Sequence, residues 1–388
     1  MSLIPALLAL ASAPVQGTVE VPFRLGDDAI IVDATVNGRK VSCMFDTGFS
    51  GTVVLNSSIN VGPPTGKMNL RDFVGQFEAT TTKVTSLKLG AKTIEGEDME
   101  AVLTGDRDYS LSYNTHCDGI MGFEVIYHNV VEINFERQRF IFYPPSHDIS
   151  KRTPDNKKTF LARLLPTGHK SLEMQVKVST GKNLVLALDT GNAFYATTHK
   201  DSLERVGVWE TGKQAQFLKA SMVASGEVAS WYKRMQNVTI FGVPVPDSTW
   251  SIIDLPSSSA ESDGTIGYGF LKNFNITIDY ERRRVWFENF TGKVGNEPVG
   301  DLGVSAFYNP DIKRVMVFRV SPGSPAEKAG IKVGDHVLSV DGQDNLNIGF
   351  RRLLKLFEGE KGSKAQLVLS RAGQLVRMEV EREHLVNP

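Results

Sequence analysis

Two aspartates, Asp46 and Asp189, each open an Asp-Thr-Gly tripeptide at the end of an apolar run, and of all side chains in this 388-residue chain they point most directly to chemistry. Two carboxylates held close together cannot both ionise, so they share one proton and one becomes a base while the other becomes an acid. Such a pair can take a proton from an attacking water and give one to a peptide carbonyl, with no metal and no covalent nucleophile. The runs 41–45 and 184–188 read as stiff buried strands that push the aspartates into a cleft. Gly48 and Gly191 permit a tight turn with close backbone approach, and the hydroxyls of Thr47 and Thr190 can hydrogen-bond across to the opposite loop.

The elements around these triplets are duplicated. Residues 34–48 form two β-rich runs about an Asn37-Gly38 turn, and 176–191 repeat the pattern about a turn at 179–182. Further on, Asp118-Gly119-Ile120-Met121-Gly122-Phe123 is echoed by Asp263-Gly264-Thr265-Ile266-Gly267-Tyr268. Behind each copy comes a strand, a charged turn and a strand, at 133–142 and 278–287. All three matches keep nearly one register, which predicts two homologous β-lobes, 18–148 and 159–290, joined by a proline-rich polar linker at 149–158.

Composition excludes several other functions. With 43 Lys+Arg against 44 Asp+Glu and no long basic run, the chain lacks the electrostatic footprint of a nucleic-acid or anionic-membrane binder. Residues 1–17 hold an apolar stretch with small-residue cleavage sites and read as a signal peptide or its remnant, and no later run is long and apolar enough for a stable membrane span. An exported protein, periplasmic or secreted, is expected. Cys43 and Cys117 read as small buried hydrophobes, the seven histidines show no metal spacing, and there is no phosphate loop, so no cofactor is expected.

Residues 18–290 resemble the pepsin and retropepsin superfamily. The resemblance rests on Asp46-Thr47-Gly48-Phe49-Ser50-Gly51-Thr52-Val53-Val54-Leu55 and on the hydrophobic-Gly elements Ile120-Met121-Gly122 and Ile266-Gly267. It implies a mainly β, bilobal acid-protease fold of β-barrel lobes, water activation by Asp46 and Asp189, and a framework of Thr47, Gly48, Thr190 and Gly191 around the pair. It also implies a hairpin flap with its tip near Phe73 and Gly75. Phe49 and Asn192 depart from the family pattern, which places a small or hydroxylated residue after each triplet.

After a Gly-rich joint at 291–298 the character changes. Residues 299–384 read as strands around a turn and short helix at 321–330 and an apolar-spaced helix at 349–357, and the stretch 323–335 resembles the signature of bacterial PDZ domains. By that resemblance Leu302, Gly303 and Val304 form a carboxylate-binding loop whose successive N–H groups receive a protein C-terminus. The expected function is an aspartic endopeptidase acting on peptides or unfolded proteins, with a PDZ domain that recruits or senses C-termini. The alternative is an inactive peptide-binding scaffold with a protease-like cleft.

Overall fold

Asn37 and Gly38 turn the chain with both residues at positive φ, 47° and 81°, the twist that joins two antiparallel strands without splaying them. The strands are Ala29–Val36 and Arg39–Asp46, with Val36 opposite Arg39. The computed structural model describes residues 17–71, 76–105, 108–167, 170–210, 218–223, 226–257, 262–296 and 299–386. The expected signal region up to residue 16 and the expected flap tip, Phe73 and Gly75, lie outside the described residues. The strands that bracket the tip, Gly66–Arg71 and Gln76–Lys83, pair antiparallel with Arg71 opposite Gln76.

The repeat in the sequence is a repeat of hydrogen bonding. Strand Arg39–Asp46 lies parallel to Gly119–Gly122, which pairs antiparallel with Val53–Asn56; that strand pairs parallel with Glu100–Thr104, which pairs antiparallel with Gln76–Lys83. In the second half Asn183–Leu188 lies parallel to Gly264–Ile266, followed by Ala196–His199, Val243–Ile253 and Gly226–Ile240 in the same succession of senses. The glycines that start the two central strands are steric necessities. A Cβ at Gly119 would enter the backbone of Val54 and Leu55, and one at Gly264, whose φ is 142°, would enter that of Thr197 and Thr198.

The halves share one sheet and one core. Val130–Asn134 pairs with Phe274–Asp279, putting Ile133 opposite Ile276, and Thr159–Arg163 crosses to Arg284–Asn289. A single cluster of buried side chains runs through both halves and includes Phe45, Phe123, Phe140, Trp250, Phe270 and Phe287. Burial of each such side chain stabilises the fold by about 1.5–3 kcal/mol. Cys43 and Cys117 are free and buried, as the sequence predicts. Among the described residues no helix is long and apolar enough to cross a membrane.

The last ninety residues form a separate core under a five-stranded sheet ordered Val304–Asn309, Arg314–Val320, His336–Val340, Lys364–Arg371, Gln374–Glu381. Helix Pro325–Lys328 starts on Ser324, whose hydroxyl accepts from the Glu327 amide at 3.2 Å, with proline in the first turn where no amide is needed. Helix Phe350–Phe357 buries Leu353 and Phe357 in this core. Its other face meets the first half. Arg351 and Lys355 reach the Asp28 carboxylate at 3.2 and 2.7 Å, and Arg352 reaches Asp27 at 3.0 Å and Asn114 at 2.9 Å. The Arg351 guanidinium also lies 4.5 Å from the centre of the Phe194 ring. Burial alone would raise the Asp28 carboxyl, but Arg351 and Lys355 hold it below the usual carboxylate range.

Because that depressed pKa belongs to the docked state, its contribution is present at neutral pH and is lost as pH falls through the carboxylate range. Asp28→Arg places three cations together where the structure has ion pairs. It should speed limited tryptic cleavage at the exposed Lys293 of the joint several-fold at neutral pH, and unchanged cleavage would show that these pairs do not hold the domain in place.

Candidate active site

Both Asp-Thr-Gly triplets sit where a buried strand ends against a second, parallel strand. Gly122 lies opposite Asp46, and Leu188, one residue before Asp189, lies opposite Ile266. The expected hydrophobic-Gly elements therefore pack directly behind the two turns. The main chain of the residue after each triplet completes the anchorage: Phe49 O accepts from the Phe123 amide at 2.7 Å, and Asn192 O from the Tyr268 amide at 2.7 Å.

The threonines lock the turns to each other. Thr47 Oγ1 donates to Leu188 O at 2.8 Å and accepts from the Thr190 amide at 3.0 Å. Thr190 Oγ1 donates to Phe45 O at 2.8 Å and accepts from the Thr47 amide at 3.0 Å. Both threonines are buried, so each bond is shielded from water and costly to lose. A Cβ on Gly48 would stand 2.7 Å from Asp189 Oδ1, and one on Gly191 would strike the Asp46 carboxylate, so each glycine supports the opposite aspartate. All six triplet residues meet at one place.

The two carboxyls come together here, close enough for each to act on the proton affinity of the other. Asp189 is buried, while Asp46 keeps part of its surface open. Inner oxygens are held alike: Gly48 N–H donates to Asp46 Oδ1 at 2.7 Å, and Gly191 and Asn192 N–H donate to Asp189 Oδ1 at 2.9 and 3.1 Å. Burial, then the charge and hydrogen bond of Asp189, push Asp46 well above the usual carboxylate range. Burial also raises Asp189, against hydrogen bonds from Asp46, Asn192, Gly191 and Thr265 that favour its charged form. Burial and proximity thus both favour a proton on the pair over two free charges.

Thr265 escaped the sequence reading. A signal for it exists, since the duplicated stretch carries Ile120 at the matching place and a hydroxyl replaces an apolar side chain there. Beside the first triplet a pocket of about 100 Å³ is lined by Phe49, Glu97, Asp98, Glu124 and Lys170, with Glu124 and Lys170 paired at 2.5 Å.

The C-terminal loop departs from expectation. Leu302 and Val304 are buried, and Gly303 takes a φ of 82°. The Leu302 amide already donates to Phe357 O at 3.3 Å, and the Gly303 amide donates to Asp301 Oδ1 at 2.7 Å. Two of the N–H groups expected to await a peptide carboxylate are therefore in use, one of them by the chain's own carboxylate. The backbone of strand Leu218–Val223 also comes up against Val304–Asn309 and Arg314–Val320.

Comparison with known proteins identifies a PDZ domain, whose family model matches residues 316–371. A carboxyl-terminal-processing protease of Picosynechococcus sp. is 38% identical over 68 residues, 18% of this chain and 16% of its own length. The putative serine protease HhoA of Synechocystis sp. is 38% identical over 85 residues, 22% of this chain and 21% of its own. The periplasmic pH-dependent serine endoprotease DegQ of Escherichia coli is 30% identical over 126 residues, 31% of this chain and 27% of its own. The chain thus spans less than a third of the length of these relatives. Among solved structures, the aspartic proteinase from Irpex lacteus aligns with 71% of this chain and 98% of its own at 15% identity and a TM-score of 0.42, a score too low to bear on fold or function. These relatives are named as proteases. Their naming as serine proteases overturns the expectation of an aspartic-type endopeptidase, and that assignment is withdrawn.

Two outcomes follow from the geometry. Thr190→Val removes a donor and an acceptor from a buried lock, so it should cost roughly 2–4 kcal/mol in chemical denaturation, with Thr47→Val/Thr190→Val costing less than the sum of the single changes. Asp46→Asn should raise the melting temperature at pH 7 and leave it unchanged near pH 3. The sign follows because a carboxyl raised by folding is stable while protonated and loses stability as pH rises through its folded value, by ~1.4 kcal/mol for each tenfold gain in proton affinity. A melting temperature that falls at pH 7 would remove the claim of a strained pair.

Proposed function

We propose that this chain is an exported, PDZ-bearing hydrolase of polypeptides whose acid–base residues are Asp46 and Asp189. In this reading 18–148 and 159–290 are two homologous lobes enclosing a polypeptide cleft, and 299–384 engages a further stretch of polypeptide. The observation that carries it is the meeting of two carboxyls, one buried and one partly open, at two turns locked to each other. Facing like charges raise the energy of the fold, and chemistry is the use that such an arrangement serves. The protease names of the relatives support polypeptide as the substrate class, and the periplasmic name of one supports export.

The steps assigned to the chain are proton movements. The ionised carboxylate accepts the proton of the attacking O–H group as it adds to the peptide carbonyl. The protonated partner donates to the carbonyl oxygen, so the negative charge of the adduct is neutralised as it forms. The carboxyl that received the proton then gives it to the leaving amine as the C–N bond breaks, and its partner takes back the proton of the adduct's hydroxyl as the carbonyl re-forms, which restores the singly protonated pair. Thr47, Gly48, Thr190 and Gly191 hold both oxygens in place throughout, so little reorganisation accompanies the transfer.

The PDZ domain is assigned a polypeptide strand rather than a terminal carboxylate. Strand Val304–Asn309 is at the sheet edge, where an added strand finds backbone partners, while the Gly303 amide is held by Asp301.

Cleavage of an unfolded protein by the full chain tests the proposal. Asp46→Asn and Asp189→Asn should each lower the rate by at least about 10³-fold, the scale of losing an acid–base partner, with folding confirmed by melting. A serine-directed phosphonate, followed by mass spectrometry of the labelled peptide, establishes whether the attacking O–H belongs to a serine. Undiminished cleavage in both Asn variants would overturn the role of the pair.

A further inference from the structure

We infer that the cavity beside the first triplet is a specificity pocket for the side chain of a lysine or arginine of the bound polypeptide. The inference rests on the proposed polypeptide-hydrolase reading, because it sets the pocket along the same cleft, and it names the residue type that this cleft selects.

Three elements near the first triplet supply apolar walls. Phe49 follows the Asp46-Thr47-Gly48 turn directly, and its ring lies over Gly51 and Gly122. Met68 stands on strand Gly66–Arg71, one of the two that bracket the expected flap tip, and is 37% exposed, while Val102 lies on strand Glu100–Thr104. All three line the cavity of about 100 Å³. Walls of this kind suit the methylene stem of a long side chain that carries its charge at the far end.

The charge of the cavity is one-sided. Four lining side chains, Glu97, Asp98, Glu100 and Glu124, are acidic, and one, Lys170, is basic. Glu124 is 5% exposed, so its carboxylate is held out of water and needs a partner. Its Oε2 is paired with Lys170 Nζ at 2.5 Å without a hydrogen bond, and its Oε1 has the exposed His128 imidazole 4.0 Å away. Lys170 comes from the segment that leads into strand Glu173–Lys177 of the second half, and its ammonium lies 5.2 Å from the centre of the Tyr127 ring. One end of the pocket therefore already seats an ammonium on a buried carboxylate. Glu97 and Asp98, both exposed, and Glu100 form no ion pair among the described residues, so three charges stay unmatched. That excess draws a cation in. A bare metal ion would gain nothing from Phe49, Met68 and Val102, whereas a lysine or arginine uses both the walls and the charge.

The test uses the full chain and a set of labelled, unstructured peptides alike but for one position, moved stepwise along the peptide, that holds Lys, norleucine or Glu. Norleucine keeps the stem and removes the charge. At one position relative to the cut bond, Lys should raise kcat/KM over norleucine by about tenfold, the size of one hydrogen bond to a charged group, and Glu should lower it. Glu97→Gln/Asp98→Asn/Glu100→Gln keeps the shapes and removes three charges, so the Lys-to-norleucine ratio should fall toward one. Should that variant fail to fold, Glu97→Gln/Asp98→Asn, changed at exposed positions alone, should lower the ratio by less. The same ratio read as affinity, by fluorescence anisotropy with the Asp46→Asn/Asp189→Asn chain, needs no turnover. Lys and norleucine treated alike at every position, or a ratio that survives the loss of the three charges, overturns the inference. If Lys is preferred in binding but neither aspartate proves necessary for cleavage, the proposed hydrolase fails and the pocket stands. Cleavage that depends on the aspartates but shows no preference removes the pocket and leaves the hydrolase.

Discussion

Two like carboxylates cannot be pressed together inside a protein unless something stronger forbids them to separate. Here that restraint is the exchange of hydrogen bonds between Thr47 and Thr190, in which each hydroxyl spans to a carbonyl of the other half. The residues so joined are 141–145 apart in the chain, and neither turn can complete its own bonding alone. The sheet that runs through Ile133 and Ile276, the parallel strands behind each triplet and the phenylalanine core all serve to bring these two short turns to one point. The elevated proton affinity of the pair is a result of that enforced proximity and of burial together.

Much of this was legible in the sequence because it is written twice. A duplicated Asp-Thr-Gly, a duplicated Asn-Gly or Thr-Gly hairpin turn and a duplicated Asp-Gly-apolar stretch pointed to a candidate site and to the elements behind it, and in the structure the six triplet residues lie together. What the repeat conceals is its own asymmetry. Thr265 and Asn192, which hydrogen-bond each other beside the second triplet, are polar where Ile120 and Phe49 are apolar, yet in a one-dimensional reading they are two substitutions among many. Only the fixed Asn192 amide reveals that they act together. The chemical class read from the triplets was itself corrected by relatives named serine proteases, which share with this chain less than a third of either length.

The C-terminal domain shows a second limit of motif reading. Leu302-Gly303-Val304 satisfies the pattern of a carboxylate-binding loop, but the preceding residue, Asp301, supplies a carboxylate to the Gly303 amide. A pattern of apolar-Gly-apolar describes backbone shape and is silent on whether that shape is already satisfied. The cationic face of helix Phe350–Phe357 was equally unreadable: Arg351, Arg352 and Lys355 look like a solvated helix surface until Asp27 and Asp28, more than three hundred residues earlier, are seen opposite them.

That docking behaves unlike an encounter between separate proteins. The joint at 291–298 keeps helix Phe350–Phe357 near its partner whether or not it is bound, so the docked fraction is set by an effective local concentration and not by how much protein is present. Much of its attraction is charge on charge at a partly solvated surface, where mobile ions compete at distances of about 8–10 Å. Dilution should leave the two parts together, and added salt should let them part. Phe194 lies under Arg351 and two residues after Asn192, so the ionic strength of the surroundings has a physical route to the neighbourhood of Asp189.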